Sequence, residues 1–219
     1  GKDLGPRLGH TISETVFGDF VPGAEDIAPA GPQHTARLAV AGDAVGEEHH
    51  PELAADHIEA RVAEGHVERI RKLAFGGIMN GNRFYRVIDG FVAQGGFQDE
   101  TAILDWPNLT HENDRPYSSG RFTPLGNKDL FAPEVGHIAG FPVGRSELVG
   151  REWLLHCPGA MAMARDTDPN SGSTEFYIVL DAQRYLDRNL TIFGRVIDGM
   201  EHVQALQRGS RDIENGVIQ

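Results

Sequence analysis

Apolar positions along the chain recur with two periods, one typical of strands and one typical of helices. Short apolar runs predict strands at 36–40, 83–88, 91–94, 153–156, 160–164, 176–180 and 191–197. Between 51 and 75 the apolar residues recur at near-helical spacing and predict a helix that Gly65 would interrupt. A shorter helix is predicted from Gly199 to Leu206, with Asp198 as its N-cap. The pattern therefore favours a mainly β fold with one early and one late helix.

One long segment does not follow either period. Residues 97–150 are rich in Pro, Gly, Asn and Asp, which indicates loops with short strands only near Phe131 and Ile138. The 27 Gly and 12 Pro of the whole chain also favour many turns over a helical bundle. Seven or eight short strands predict a closed antiparallel barrel with helices over its open ends, because closure removes exposed strand edges. The predicted division is an N-terminal arm at 1–33, one barrel domain at 34–209 with atypical segments 44–64 and 97–150, and a tail at 210–219.

Charge and hydropathy exclude some classes of partner. The formal net charge of the 219 residues is -12, whereas binding to nucleic acid or to an anionic membrane needs a basic face. No run of 18 apolar residues is present, so no membrane-spanning helix is predicted. We expect a monomer that binds neither nucleic acid nor membrane.

The cysteine and histidine residues do not favour a catalytic thiol or a metal site. The single cysteine, Cys157, excludes an intrachain disulfide and a C-x-x-C motif, and we interpret it as a small buried residue rather than a catalytic thiol. The histidines His49, His50 and His57 lie near Asp56 in a polar stretch, where surface histidines are favoured over the alternative of a metal site. No cofactor is expected.

The stretch FYRVIDGFVAQGG, residues 84–96, is the most informative part of the chain. Two β-like runs flank Asp89-Gly90, a dipeptide typical of chain reversal. In such a hairpin, Arg86, Phe91 and Gln94 could converge on one patch that holds a cation, an aromatic ring and an amide. The alternatives are ordinary: a surface arginine, a core aromatic residue and a structural amide.

This stretch resembles the central motif of the cyclophilins, which are peptidyl-prolyl cis-trans isomerases. A second stretch, PGAMAMARDTDPNSGSTEFYIVL, is similar to the family's turn, small-residue strand, polar loop and aromatic strand. A third, YLDRNLTIFGRVIDGMEHVQAL, resembles the segment that leads into its late helix. The three motifs stand in the family's order between about residues 66 and 207. The resemblance implies an eight-stranded barrel with two capping helices.

The resemblance also implies a site, residue by residue. Arg86 matches the catalytic arginine, Gln94 matches the glutamine that binds the substrate backbone, and Phe91 matches a pocket aromatic residue. Other positions match residues that line the substrate groove: Val92, Ala164, Arg165, Glu175, Tyr177, Tyr185, Leu186 and Leu190.

Several of these positions depart from the family's usual residues. Glu175 stands where glutamine is usual, Tyr185 where many relatives carry tryptophan, and Leu190 where many carry histidine. Leucine makes the rim of the groove more apolar, and tyrosine is expected to weaken cyclosporin-like ligands. Glu175 is interpreted equally well as a groove residue or as a loop carboxylate.

The implied activity is isomerisation of X–Pro bonds in proline-containing peptides or unfolded chains, in support of protein folding. The alternative is a proline-binding chaperone or scaffold with little turnover, and a third reading is a metal-binding or sugar-binding β-barrel. A bacterial-type member with trimmed ends suits an exported, periplasmic protein, and a cytoplasmic location is the alternative.

Overall fold

The computed structural model describes residues 63–80, 82–97, 101–117 and 122–209, together with the backbone of Glu100 and of two strands near the N-terminus. The described strands are β1 (Thr15–Val16), β2 (Arg37–Val40), β3 (Phe84–Val87), β4 (Val92–Gly95), β5 (Arg115–Pro116), β6 (Thr123–Pro124), β7 (Glu134–Ile138), β8 (Phe141–Ser146), β9 (Arg151–Leu154), β10 (Ala160–Met163), β11 (Phe176–Val179) and β12 (Ile192–Asp198). The described helices are α1 (Glu64–Phe75), α2 (Glu100–Leu104) and α3 (Met200–Gln204), with a 3₁₀ turn at Arg184–Leu186.

The described strands form two antiparallel sheets. One has seven strands in the order β1-β2-β12-β10-β11-β4-β3, and the other has five in the order β5-β9-β8-β7-β6. The mainly β prediction with an early and a late helix is confirmed, whereas the closed eight-stranded barrel is wrong for the described residues. Three of the four sheet edges are the two-residue strands β1, β5 and β6. Such short edge strands leave few unpaired backbone groups exposed, which is the role that barrel closure was expected to have.

One apolar core joins the two sheets. Met161, Val179 and Phe193 of the larger sheet are fully buried, and they belong to the same cluster as Phe141 and Val143 of the smaller sheet. Helix α1 adds Ile70 and Leu73, which are both completely inaccessible to solvent. None of the helices in the described part of the chain is long and apolar enough to cross a membrane.

Three local predictions need correction. No strand forms at Phe131, where the chain bends, and the nearest strand is β7. Asp198 is the last residue of β12 rather than a helix cap, and Gly199 precedes α3 with a φ of 77°. Gly65 does not interrupt α1. The predicted helix over 51–62, most of the arm and the tail lie outside the described residues.

The N-terminus of α1 is capped by a distant carboxylate rather than by its own N-cap residue. The backbone N–H groups of Gly65 and His66 each donate to Glu112, at 3.1 Å. The Nδ1 atom of His66 lies 2.6 Å from the same carboxylate. Burial alone would raise the pKa of Glu112, but the hydrogen bonds from His66 and Gly65 outweigh it and hold that pKa below its ordinary value.

We expect this cap to make stability fall in acid. A carboxylate whose pKa is lower in the folded chain stabilises the fold above its unfolded pKa, here about 4.5, and loses that contribution as the pH falls through the folded pKa. The variant Glu112→Gln should be less stable at pH 7 and should lose less stability between about pH 5 and pH 3. Urea unfolding across this pH range measures the free energy of unfolding of both proteins. If that free energy falls as steeply with acid in the variant as in the wild type, Glu112 does not contribute to the pH dependence of stability.

Candidate active site

The strand pair β3 and β4 lies at one edge of the larger sheet and positions the predicted catalytic residues. Arg86 pairs directly opposite Gln94, and Phe84 pairs opposite Gly95. The register shifts between Phe84 and Arg86, so Tyr85 occupies a β-bulge. A bulge can re-aim a side chain that would otherwise point to the other face of the sheet. Tyr85 and its neighbour Arg86 can therefore both reach Gln94.

Four polar side chains form what we call the active-site network: Tyr85, Arg86, Gln94 and Glu175. Arg86 Nη1 donates to Gln94 Oε1 at 3.0 Å. The amide nitrogen of Gln94 donates to the hydroxyl of Tyr85 at 2.7 Å and to Glu175 Oε2 at 3.0 Å. The Tyr85 hydroxyl donates to the same carboxylate oxygen. The guanidinium is thereby connected to a carboxylate through one neutral amide.

Tyr85 acts as a hydrogen-bond donor in this network. Burial, and then the neighbouring Glu175 carboxylate, raise the pKa of Tyr85 well above its ordinary value. The phenol therefore stays protonated at neutral pH and donates to the carboxylate. Sequence reasoning did not single out Tyr85, because strict strand alternation would place it on the face opposite Arg86.

The turn between the two strands brings an aromatic ring beside the guanidinium. Gly90 has a φ of 63°, a conformation that glycine adopts without strain, and Phe91 N–H donates to Ile88 O at 3.1 Å. The guanidinium carbon of Arg86 lies 5.9 Å from the centroid of the Phe91 ring, within cation–π range. Val92 follows at the start of β4, with 2% of its surface exposed.

Strand β11 brings further predicted residues beside β4, and the 3₁₀ turn carries Tyr185 and Leu186. Tyr177 pairs opposite Gln94, and Glu175 lies two residues earlier, on the same face by strand alternation. Tyr177 is 5% exposed and Leu186 is 9% exposed, so both side chains are almost entirely buried. Tyr185, in contrast, is 60% exposed.

The remaining predicted residues lie where β10 ends. Ala164 N–H donates to the backbone oxygen of Glu175 at 2.9 Å, which places Ala164 beside the network. Arg165 donates to the backbone oxygen of Asp166 at 2.6 Å and to Asn189 Oδ1 at 2.6 Å. Its guanidinium therefore ties together two loops. Leu190, next to Asn189, is half-buried and packs against the core.

The comparison with protein families identifies the family of the chain. The profile described as "Cyclophilin type peptidyl-prolyl cis-trans isomerase/CLD" matches residues 57–219. The chain belongs to the cyclophilin family. As a member, it is a peptidyl-prolyl cis-trans isomerase, and similar proteins of Brucella abortus and Bacillus subtilis carry that activity in their names.

Two curated relatives are similar over most of this chain. A probable peptidyl-prolyl cis-trans isomerase of Brucella abortus is 29% identical over 189 residues, which cover 86% of this chain and 79% of the relative. Peptidyl-prolyl cis-trans isomerase B of Bacillus subtilis is 29% identical over 147 residues, which cover 67% of this chain and 78% of the relative.

A solved structure supports the fold. The crystal structure of the cyclophilin AquaCyp293 from Hirschia baltica matches with a TM-score of 0.63 and 28% sequence identity. The match covers 84% of this chain and 66% of that chain. The two-sheet arrangement described above is thus a cyclophilin-like fold.

Among the other chemical candidates of the sequence, only Cys157 lies in the described part of the chain. Burial is the main reason that the pKa of the Cys157 thiol lies above its ordinary value, which disfavours a thiolate nucleophile. The histidines His49, His50 and His57 lie outside the described residues. Within the described part of the chain, no cluster of three or more His, Cys, Asp or Glu could hold a metal ion.

A small cavity lies elsewhere in the molecule. It has a volume of about 60 Å³ and lies between the two sheets, where Phe141, Leu154 and Ile192 contribute to its lining. None of the eleven predicted site residues lines it. The cavity is therefore separate from the edge formed by β3, β4 and β11.

Proposed function

We propose that the chain isomerises X–Pro bonds in flexible or unfolded protein segments by directing the Arg86 guanidinium at the imide nitrogen. The observation that carries this proposal is the position of that guanidinium. It is held by Gln94 at 3.0 Å and lies beside the Phe91 ring at 5.9 Å. In this proposal the chain acts as a monomer, without a cofactor, on proline-containing segments rather than on nucleic acid or membranes.

The reaction needs little beyond a well-aimed donor. Rotation about a peptide bond is opposed by a barrier of ~18–20 kcal/mol, because the nitrogen lone pair is delocalised into the carbonyl group. A hydrogen bond to that nitrogen forms fully only when the nitrogen becomes pyramidal, so it stabilises the transition state selectively. Arginine suits this role because it is charged at every relevant pH and presents a rigid fork of donors.

The proline ring needs a dry, apolar surface while the carbonyl rotates. We assign this role to Phe91, Val92, Tyr177 and Leu186. Support for three of them comes from low exposure, which is 2% for Val92, 5% for Tyr177 and 9% for Leu186. Phe91 is half-buried and packs against the apolar core. At the rim of the groove we assign Ala164, Arg165, Tyr185 and Leu190, of which Tyr185 is the most exposed.

Gln94 is assigned to hold a substrate carbonyl, although both hydrogens of its amide nitrogen already have acceptors inside the protein. An amide nitrogen has two hydrogens to donate. Those of Gln94 are directed at Tyr85 and Glu175. A substrate carbonyl must therefore replace one of these two acceptors when it binds.

An assay on a short X–Pro peptide tests the proposed function. We expect catalytic amounts of the protein to accelerate cis-trans exchange, which otherwise takes tens of seconds or more. Saturable binding of the peptide without any acceleration would instead favour the alternative of a proline-binding chaperone or scaffold. Nothing in the comparisons with known proteins favours that alternative.

Glu175 is expected to give the enzyme a preference for positively charged residues beside the proline. Its Oε2 atom accepts hydrogen bonds from Tyr85 and Gln94, whereas no bond to Oε1 is seen within the described ranges. One extended residue spans ~3.3–3.6 Å, so a residue next to the proline lies within the screening length of about 8 Å.

The corresponding variant is Glu175→Gln. We expect the wild type to favour Lys over Glu beside the proline by about 2–5-fold in kcat/KM, which is the size of a partly exposed ion pair. The variant should lose this preference, and added salt should weaken it in the wild type. An unchanged preference in the variant would show that the Glu175 charge does not select substrates.

A further inference from the structure

Behind the proposed proline pocket lies a buried histidine whose polar groups are all hydrogen-bonded. His156 is completely inaccessible to solvent. Its Nε2 atom lies 2.9 Å from the Tyr177 hydroxyl, and its Nδ1 atom lies 3.0 Å from Asp187 Oδ1. Its backbone N–H donates to the same Asp187 oxygen at 2.8 Å, and its backbone oxygen accepts from Gln183 N–H at 2.8 Å. One residue therefore links Tyr177, Gln183 and Asp187.

The chemistry of the three side chains sets the direction of these hydrogen bonds. The Asp187 carboxylate only accepts, so Nδ1 of His156 donates to it, and in this tautomer Nε2 accepts from the Tyr177 hydroxyl. Burial raises the pKa of Tyr177 well above its ordinary value, so its hydroxyl remains a donor. The polar end of Tyr177 is thus satisfied inside the protein, away from the proposed pocket.

The other side of this network fixes the 3₁₀ turn. Asp187 directly follows Leu186, and its side chain is only 3% exposed. Arg184 Nε donates to Asp187 Oδ2 at 2.5 Å, and the same guanidinium also pairs with Asp129. Leu186 therefore lies between Arg184 and Asp187, which are paired with each other, and Asp187 is in turn held by His156.

We infer that His156 is a positioning residue that sets the width of the proline pocket. This inference rests on the proposed function, because Tyr177 and Leu186 are two of the four side chains assigned to hold the proline ring. His156 connects the strand that carries one of them to the turn that carries the other. Protein interiors are closely packed, so fixing both side chains fixes the space between them. His156 thereby determines which ring size the enzyme accepts.

A six-membered homologue of proline measures this width. In a pipecolyl peptide the ring has one additional methylene group, and a pocket of fixed size distinguishes such a difference by roughly 10–200-fold. The readout is the ratio of kcat/KM for prolyl and pipecolyl peptides of otherwise identical sequence. A loss of folded protein lowers both values together and leaves the ratio unchanged. The ratio therefore separates positioning from general stability.

The variants are His156→Leu, which removes both side-chain hydrogen bonds, and His156→Gln, which retains an acceptor for Tyr177. We expect the ratio to fall by about tenfold or more in His156→Leu and to be at least partly restored in His156→Gln. The matched control is His66→Leu. His66 is also buried, at 2% exposure, and also contacts a carboxylate, that of Glu112 at 2.6 Å, but it lies outside the proposed pocket. The control should retain the wild-type ratio.

Three results would overturn the inference: an unchanged ratio in folded His156→Leu, a ratio no better in His156→Gln than in His156→Leu, or an equal change in His66→Leu. If His156→Leu does not fold, Tyr177→Phe provides the test, because it removes only the hydroxyl and should lower the ratio by about threefold or more. An unchanged ratio in this variant would likewise reject the inference. If the wild type binds both peptides without turnover, the proposed function fails, and the ratio of dissociation constants then tests the positioning role by itself.

Discussion

Replacing Arg86 by alanine is expected to lower kcat/KM for an X–Pro peptide by about 10²–10³-fold, the effect of removing one preorganised donor from a transition state. The guanidinium supplies the only charge that the proposed mechanism directs at the reacting nitrogen. Arg86 lies on an edge strand and is half-buried, so its loss should leave the fold intact. Exchange rates of the peptide, measured together with circular dichroism of the variant, test both expectations.

Two further variants distinguish the geometry of the Arg86 guanidinium from the effect of positive charge. Arg86→Lys keeps the charge but loses the rigid fork, so it should recover only a small part of the activity. Arg83→Ala removes an exposed arginine three positions away, just before β3, and should stay within about a factor of two of the wild type. If Arg83→Ala is as inactive as Arg86→Ala, the effect is one of overall charge, and Arg86 has no specific role.

The second large effect is expected on stability. Glu152 lies in β9 and is 1% exposed, with Arg145 Nε donating to it at 2.8 Å and Arg115 Nε at 2.5 Å. Arg145 is itself buried and lies over the rings of Tyr117 and Phe122. Removing one member of a buried ion pair leaves a charge without compensation, so Glu152→Ala should lower the free energy of unfolding by about 3–5 kcal/mol.

Urea denaturation measures this loss, and an exposed residue in the turn between β8 and β9 provides the control. Glu147 follows β8 and is exposed, so Glu147→Ala should change the free energy of unfolding by less than about 0.5 kcal/mol. A loss below about 1 kcal/mol in Glu152→Ala, with an unchanged dependence on urea concentration, would mean that the cluster relaxes or admits water.

The sequence predicts the strands of the larger sheet better than those of the smaller one. Strands β10 and β11 are continuous apolar runs, and β12 contains the two apolar pairs Ile192-Phe193 and Val196-Ile197. The sequence predicts all three strands to within about one or two residues at each end. Strand β8 contains Pro142 and Gly144, residues that usually weaken a strand pattern. Pro142 contributes no N–H to the sheet, and Gly144 has no room for a side chain against Trp153. The tertiary contacts that permit these residues are not visible in a local pattern.

The same contrast holds for the candidate site. Arg86, Phe91 and Gln94 lie within nine residues of one another, so a hairpin signal is enough to bring them together. Tyr85 joins them only because the strand register shifts between Phe84 and Arg86, and no residue type in the sequence predicts that shift. His156 and Asp187 are 31 residues apart and meet through the packing of the 3₁₀ turn. Contacts between residues that are close in the sequence can be predicted from one sequence, whereas contacts between distant residues depend on how the whole chain packs.

The most direct test of the central claim is an NMR exchange measurement on one X–Pro peptide that reports both binding and rotation on the enzyme. We predict that Arg86→Ala binds the peptide with a dissociation constant within a few-fold of the wild-type value, while exchange on the enzyme slows by about 10²-fold or more. This split is expected if the guanidinium acts mainly in the transition state. A variant that loses affinity and rate in equal proportion, or one that still accelerates exchange, would contradict the account.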